Sequence, residues 1–120
     1  MFICSFRFFC LGVNVPVFRT KKEAYDWLSS GKKVIDVRKG KPHRGQIAVY
    51  LSGKRVLRLR IIRCETGSLQ EVIRMDNFLS IVPSANSIDN AFAYIKVLYL
   101  GYSGVFTAYY VEPLSICGKC

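Results

Sequence analysis

Histidine is almost missing from this 120-residue sequence: His43 is the single one. A metal site built on two histidines is therefore excluded, as is a nucleophilic triad supported by a second histidine. There is no G-x-x-x-x-G-K-[ST] loop and no G-x-G-x-x-G after a strand, so nucleotide hydrolysis by the usual phosphate-cradling machinery is not expected. No apolar run reaches the ~18 residues of a spanning helix. The longest, in MFICSFRFFCLG at the start, is interrupted by Arg7. Because that arginine lies inside the apolar stretch and no A-x-A-like site follows, a secretory signal is not indicated either. Residues 1–12 read as an apolar extension or an edge strand. Internal repeats, low-complexity tracts and dividing linkers are lacking, and neither a cofactor nor a metal is implied.

Cysteine is present without forming a framework. Cys4, Cys10, Cys64, Cys117 and Cys120 are odd in number and irregular in spacing. The terminal CGKC is a lone C-x-x-C, and a zinc site needs a second such pair. Residues 115–120 read as a tail carrying two thiols, and the pattern points to a reducing, cytoplasmic setting.

Acidic residues are also scarce: 8 Asp and Glu stand against 18 Lys and Arg, a formal net charge of +10. The hydrophobic share of 51% still suffices for one packed core, so a disordered chain is excluded. The charge is concentrated. Between Arg19 and Arg63 there are 14 basic and 3 acidic residues, and the remainder holds 4 basic and 5 acidic. A basic half on a near-neutral body sets up a directional positive field. Nucleic acid is the commonest large partner for such a field, ahead of another anion or a surface charge that serves solubility alone.

Local patterns give the elements. Val13 to Arg19 is β-branched with Pro16 inside and reads as an edge strand. Thr20 and Glu23 form a T-x-x-E capping box, with Ala24, Trp27 and Leu28 on the buried face of the helix that follows and Gly31 ending it. Lys33 to Arg38 is a strand, and KGKPHRG (39–45) is a basic loop. Gln46 to Ser52 and Arg55 to Cys64 form a hairpin around Gly53. Ser68 and Glu71 repeat the capping-box pattern. Phe78 to Val82 is a short apolar piece before Pro83. Ser87 caps a longer helix with Ile88, Ala91, Phe92, Ile95 and Tyr99 at helical spacing. Val105 to Val111 is the last strand. The expected fold is α+β, mainly β: five or so strands and about three short flanking helices, with the sheet closed into a small barrel or left as an open sandwich. A single domain over residues 13–114 accounts for all of it.

Two strands carry the candidate chemistry. In KKVIDVR, alternation sends Ile35 and Val37 to the core and Asp36 and Arg38 to the other face, with Lys33 at the strand entrance. This is either an anion-binding or acid–base cluster at a cleft, or a surface pair contributing under ~1 kcal/mol. In RVLRLRIIR, Leu57, Leu59 and Ile61 share one face and Arg58 and Arg60 the other. Two guanidiniums so placed lie ~6.5–7 Å apart, near the phosphate spacing of a nucleic-acid strand. Lys41, His43 and Arg44 in the basic loop extend the stripe, while Tyr50 or Trp27 could offer an aromatic face or lie in the core.

Gly31, Lys33, Asp36 and Arg38 together match G-x-K-x-x-[E/D]-x-R, and on these residues the chain resembles the ASCH domains, relatives of the PUA RNA-binding fold. The order of elements from about residue 13 to the closing Val111-Glu112-Pro113-Leu114 is similar as well. The resemblance implies a small PUA-like (ASCH) β-barrel with a cleft between barrel and helices, acting on RNA as a binding module or at the nucleoside level. One branch resembles an amidohydrolase that removes acyl groups from modified cytidine, using a Lys, a Thr three residues on and a distant Glu. Lys33 matches that Lys, Asp36 stands at the Thr position, and Glu71 or Asp76 corresponds loosely to the Glu.

The leading expectation is an RNA-binding module. Lys33, Arg38, Lys41, Arg44, Arg58 and Arg60 would hold the backbone, and Asp36 would contact a base. Single-stranded DNA and a modified nucleoside are the other ligands considered, and no membrane is expected as a partner. The alternative is a hydrolase on a modified nucleoside or RNA with Lys33 and Asp36 as the catalytic pair. A scaffold for acidic proteins is the third class.

Overall fold

The computed structural model describes residues 15–114. The readings for residues 1–12 and for the Cys117 to Cys120 tail lie outside that range. The chain runs β1 (Val17–Arg19), α1 (Lys22–Ser30), β2 (Ile35–Lys39), β3 (Ile47–Ser52), β4 (Arg55–Gly67), α2 (Leu69–Val72), α3 (Phe78–Ile81), α4 (Ile88–Leu98) and β5 (Phe106–Pro113). The strands form one sheet in the order β1-β3-β4-β5-β2. β1 lies parallel to β3, and the other neighbours are antiparallel.

The local signals explain most boundaries. Ser52 pairs with Arg55 across a two-residue turn that opens on Gly53 at φ +60°, the positive dihedral a tight hairpin needs. Both halves of the Ser68–Glu71 capping box form, at 3.2 Å and 2.7 Å. Ser87 Oγ accepts from Asn90 N at the start of α4. The segment 78–82 makes a turn of helix of its own, so four helices flank the sheet where about three were expected.

The sheet curls strongly. The rings of Phe18 (β1) and Tyr109 (β5) are 5.1 Å apart at their centroids, although β3 and β4 separate their strands. Three strand spacings in a flat sheet amount to about 14 Å. The concave face buries Phe18, Ala48, Tyr50, Leu59, Tyr109 and Val111 around Tyr25 and Leu28 of α1. The opposite face of β2 and β5 presents Ile35, Val37, Phe106 and Ala108 to Val72, Ile73, Ile81, Ala91 and Ile95 from the helical segment. The result is a half-barrel with two cores. Among the described residues no backbone ladder joins the outermost strands β1 and β2, so these residues by themselves make a curled half-barrel.

Two local expectations are corrected. Thr20 and Glu23 do not form a capping box. The helix N-cap is Lys21, without a side-chain cap bond, because the Thr20 hydroxyl is taken by Phe18 O and by Arg38. The buried face of α1 holds Tyr25 with Leu28, while Ala24 and Trp27 are only partly buried.

Candidate functional site

Gly31 starts the site. At φ +82° it takes the left-handed conformation open chiefly to glycine, ends α1 and turns the chain back so that Lys33 N donates to Trp27 O. The next residues enter β2 between the two cores. Both faces of the strand are therefore covered, and Ile35, Asp36 and Val37 are all buried. Surface placement of Asp36 and Arg38 is overturned: the polar side of the alternation faces the hollow of the curl, not water.

Lys33 and Asp36 are each 5% exposed. Lys33 Nζ donates to Ile81 O at 2.5 Å and stands 3.9 Å from Asp36 Oδ1. Burial lowers the Lys33 pKa to about 8; Asp36 pulls it up and Arg38 pushes it down. Arg38 shares three bonds. Nε donates to Asp36 Oδ2 at 2.7 Å, one terminal nitrogen to Arg19 O at 2.9 Å and the other to Thr20 Oγ1 at 3.1 Å. Its guanidinium also covers the Phe18 ring at 4.6 Å. Burial opposes the Arg38 charge, but Asp36 outweighs it and the pKa is raised. Arg38 thus ties β2 to β1 across the open seam. Tyr50 lies in this core with its hydroxyl buried and without a hydrogen-bond partner among the described residues. Burial first, and then the Asp36 charge, push its pKa well above that of an ordinary phenol.

Lys33, Asp36 and Arg38 open onto a recess of about 220 Å³ between the seam, α1 and α4. Arg19, Lys21, Lys33 and Arg38 line it against a single carboxylate, Asp36, with Tyr94, Ile95 and Leu98 of α4 and Tyr99 at its C-cap as the facing wall. The volume is below the about 300–1,000 Å³ typical of drug-sized sites, and leaves room for one base or sugar rather than a larger ligand.

The architecture is shared with two solved structures. The crystal structure of the hypothetical protein PH0355 matches with a TM-score of 0.68 at 16% identity, covering 83% of this chain and 99% of that one. The solution structure of protein PF0455 from Pyrococcus furiosus matches with a TM-score of 0.59 at 21% identity, covering 85% and 99%. At these identities the likeness concerns the fold. No protein-family model matches the sequence, nor does any curated protein.

The other sequence-predicted residues are dispersed. Lys41 and Arg44 are exposed on the 39–45 loop, which is anchored by Thr107 Oγ1 donating to Gly40 O and His43 N donating to Tyr109 Oη. His43 also sets its ring edge-on to Phe18. Arg58 projects from β4 into solvent, as alternation requires, but Arg60 beside it is paired with Glu112 of β5 at 3.5 Å. None of these four cations lines the recess. Glu71 serves its capping box and exposed Asp76 pairs with Arg74, so neither reaches the recess. Among the described residues no group of His, Cys, Asp and Glu could hold a metal. No helix among them is long and apolar enough to cross a membrane. Sequence reasoning missed Arg19, Lys21, Tyr94 and Tyr99. Tyr94 carried no signal, since the helical spacing picked out only Tyr99. Trp27 and Tyr50, offered as aromatic faces, do not line the recess.

Proposed function

We propose that this protein is a cytoplasmic RNA-binding module of the ASCH type that holds part of a single strand in the recess beside Arg38. The observation that carries this reading is the convergence of Lys33, Asp36 and Arg38, distant in neither sequence nor space, on one concave site where cations outnumber carboxylates four to one. The match of Gly31, Lys33, Asp36 and Arg38 to the ASCH signature supports it. The exposed cations Lys41, Arg44 and Arg58 extend the field away from the recess and suit a phosphate backbone. Asp36 is fixed by Arg38 and Lys33, so it can accept only from a group that enters along the recess, which suits the edge of an unpaired base.

Titration of single-stranded RNA at increasing salt tests the reading. Affinity is expected to fall steeply, by orders of magnitude between about 50 and 200 mM salt if several phosphates are neutralised. A flat salt response, or no binding by RNA of any composition, overturns it. Single-stranded DNA in the same titration shows whether the ribose matters.

A second reading, hydrolysis of a modified nucleoside, is favoured by one feature: Lys33 is buried with its pKa brought to about 8, the range in which an amine can exchange a proton near neutral pH. Asp36 replaces the hydroxyl nucleophile of the resembling branch, so any such reaction would use Lys33 and Asp36 to activate water. Release of acetate from N4-acetylcytidine, abolished in Lys33→Ala, is the expected sign; activity unchanged in that variant removes Lys33 from the role.

A further inference from the structure

Two hollows meet at Lys21 and Tyr94. One is the recess described above. The other, of about 250 Å³, is lined by Lys21, Asn90, Ala93, Tyr94 and Val97. On α4 the residues 90, 93, 94 and 97 form one helical stripe, and 94, 95, 98 and 99, which line the recess, form the next. Tyr94 belongs to both. Lys21, from the start of α1, reaches across to it with Nζ 5.7 Å from the ring centroid, and it makes no ion pair among the described residues. One free cation and one aromatic ring thus stand between two hollows of similar size.

We propose that the two hollows are consecutive nucleoside subsites of a single-stranded track, with Lys21 holding the phosphate that joins them. The inference rests on the nucleic-acid reading and adds direction and length to it. A phosphodiester places its one negative charge between two bulky, largely planar groups, and the partition places its one free positive charge between two hollows. The outer hollow offers what a base face requires: apolar Ala93 and Val97, the latter 63% exposed, beside the polar side chain of Asn90. Tyr94 also packs against Trp27, with ring centroids 5.9 Å apart, so the partition between the two hollows is held in place by the helix α1 side as well as by α4. A duplex cannot splay two neighbouring bases to opposite sides of Lys21, so the track is specific for unpaired strands.

Calorimetric titration of the protein with a nucleoside, its 5′-monophosphate and the dinucleoside monophosphate, for each of the four bases, tests the track. The dinucleoside monophosphate is expected to bind roughly tenfold to a hundredfold more tightly than the mononucleotide, the worth of one added stacked base. Val97→Asp, a change at an exposed position, is expected to remove that advantage and leave the mononucleotide affinity in place. Lys21→Gln is expected to weaken both phosphate-bearing ligands and spare the nucleoside. Equal binding of mono- and dinucleotide by the native protein, or an advantage that survives Val97→Asp, overturns the track while single-strand binding stands. Failure of every ligand and of longer RNA overturns the nucleic-acid reading itself.

Discussion

Lys33 shows how much a single buried ammonium sets. Its pKa is lowered from 10.5 to about 8 chiefly by burial. Between those pH values the unfolded chain binds more protons at this residue than the folded one, so the Lys33 contribution to stability rises with pH across the window, and the penalty is complete below about pH 8. Denaturation of the native protein and Lys33→Met from pH 7 to 10.5 is expected to show the difference in unfolding free energy moving in favour of the native protein by roughly 3 kcal/mol; a constant difference contradicts the burial of the charge. Arg38 has the opposite character, a cation whose three nitrogens are all used. Arg38→Ala leaves Asp36 with a cation only at 3.9 Å and unties the seam, and a loss of about 3 kcal/mol is expected in the same assay. Arg38→Lys recovers little of it, because one ammonium cannot reach three acceptors in the fork geometry. The identity of these residues was legible in their spacing from Gly31. Their burial was not, since alternation assigns two faces to a strand without saying that both are covered.

At the level of elements, capping illustrates where local reading succeeds and where it fails. T-x-x-E at Thr20 and S-x-x-E at Ser68 are the same signal, yet only the second becomes a capping box. Ser68→Ala is expected to cost about 1 kcal/mol in thermal or chemical denaturation, and Glu23→Gln almost nothing, because Glu23 caps no N–H. A similar cost for both variants contradicts the assignment. The difference lies outside either segment: Arg38, distant in sequence, claims the Thr20 hydroxyl. Strands and helices defined by their own periodicity were legible to within a few residues. The pairing of β2 with β5 rather than with β3 was not, because no local pattern reports which strand returns beside which.

For the molecule as a whole, net charge overstates the cations available to a partner. Arg55 is paired with Asp26, Arg60 with Glu112 and Arg63 with Glu65, whereas Arg58, Lys41 and Arg44 make no ion pair among the described residues. If the protein binds RNA as proposed, Arg58→Gln is expected to reduce the slope of log affinity against log salt by about one. Arg60→Gln should reduce it by less, since Glu112 already offsets that charge, and equal effects argue against the pairing. The basic half was legible in the sequence; its division into spent and free cations depends on which acids the fold brings alongside. The seam adds a consequence in time. On the bonds made by the described residues, β1 is held by a three-rung ladder to residues 49–51 and by Arg38 donating to Arg19 O, a long loop closed for few bonds. Amide protons of β1 should then exchange with solvent ahead of those in β4 and β5, and when that short strand lifts away, the wall of the recess that includes Arg19 goes with it. Loading the hollow and slowing the exchange of β1 are two readings of one equilibrium.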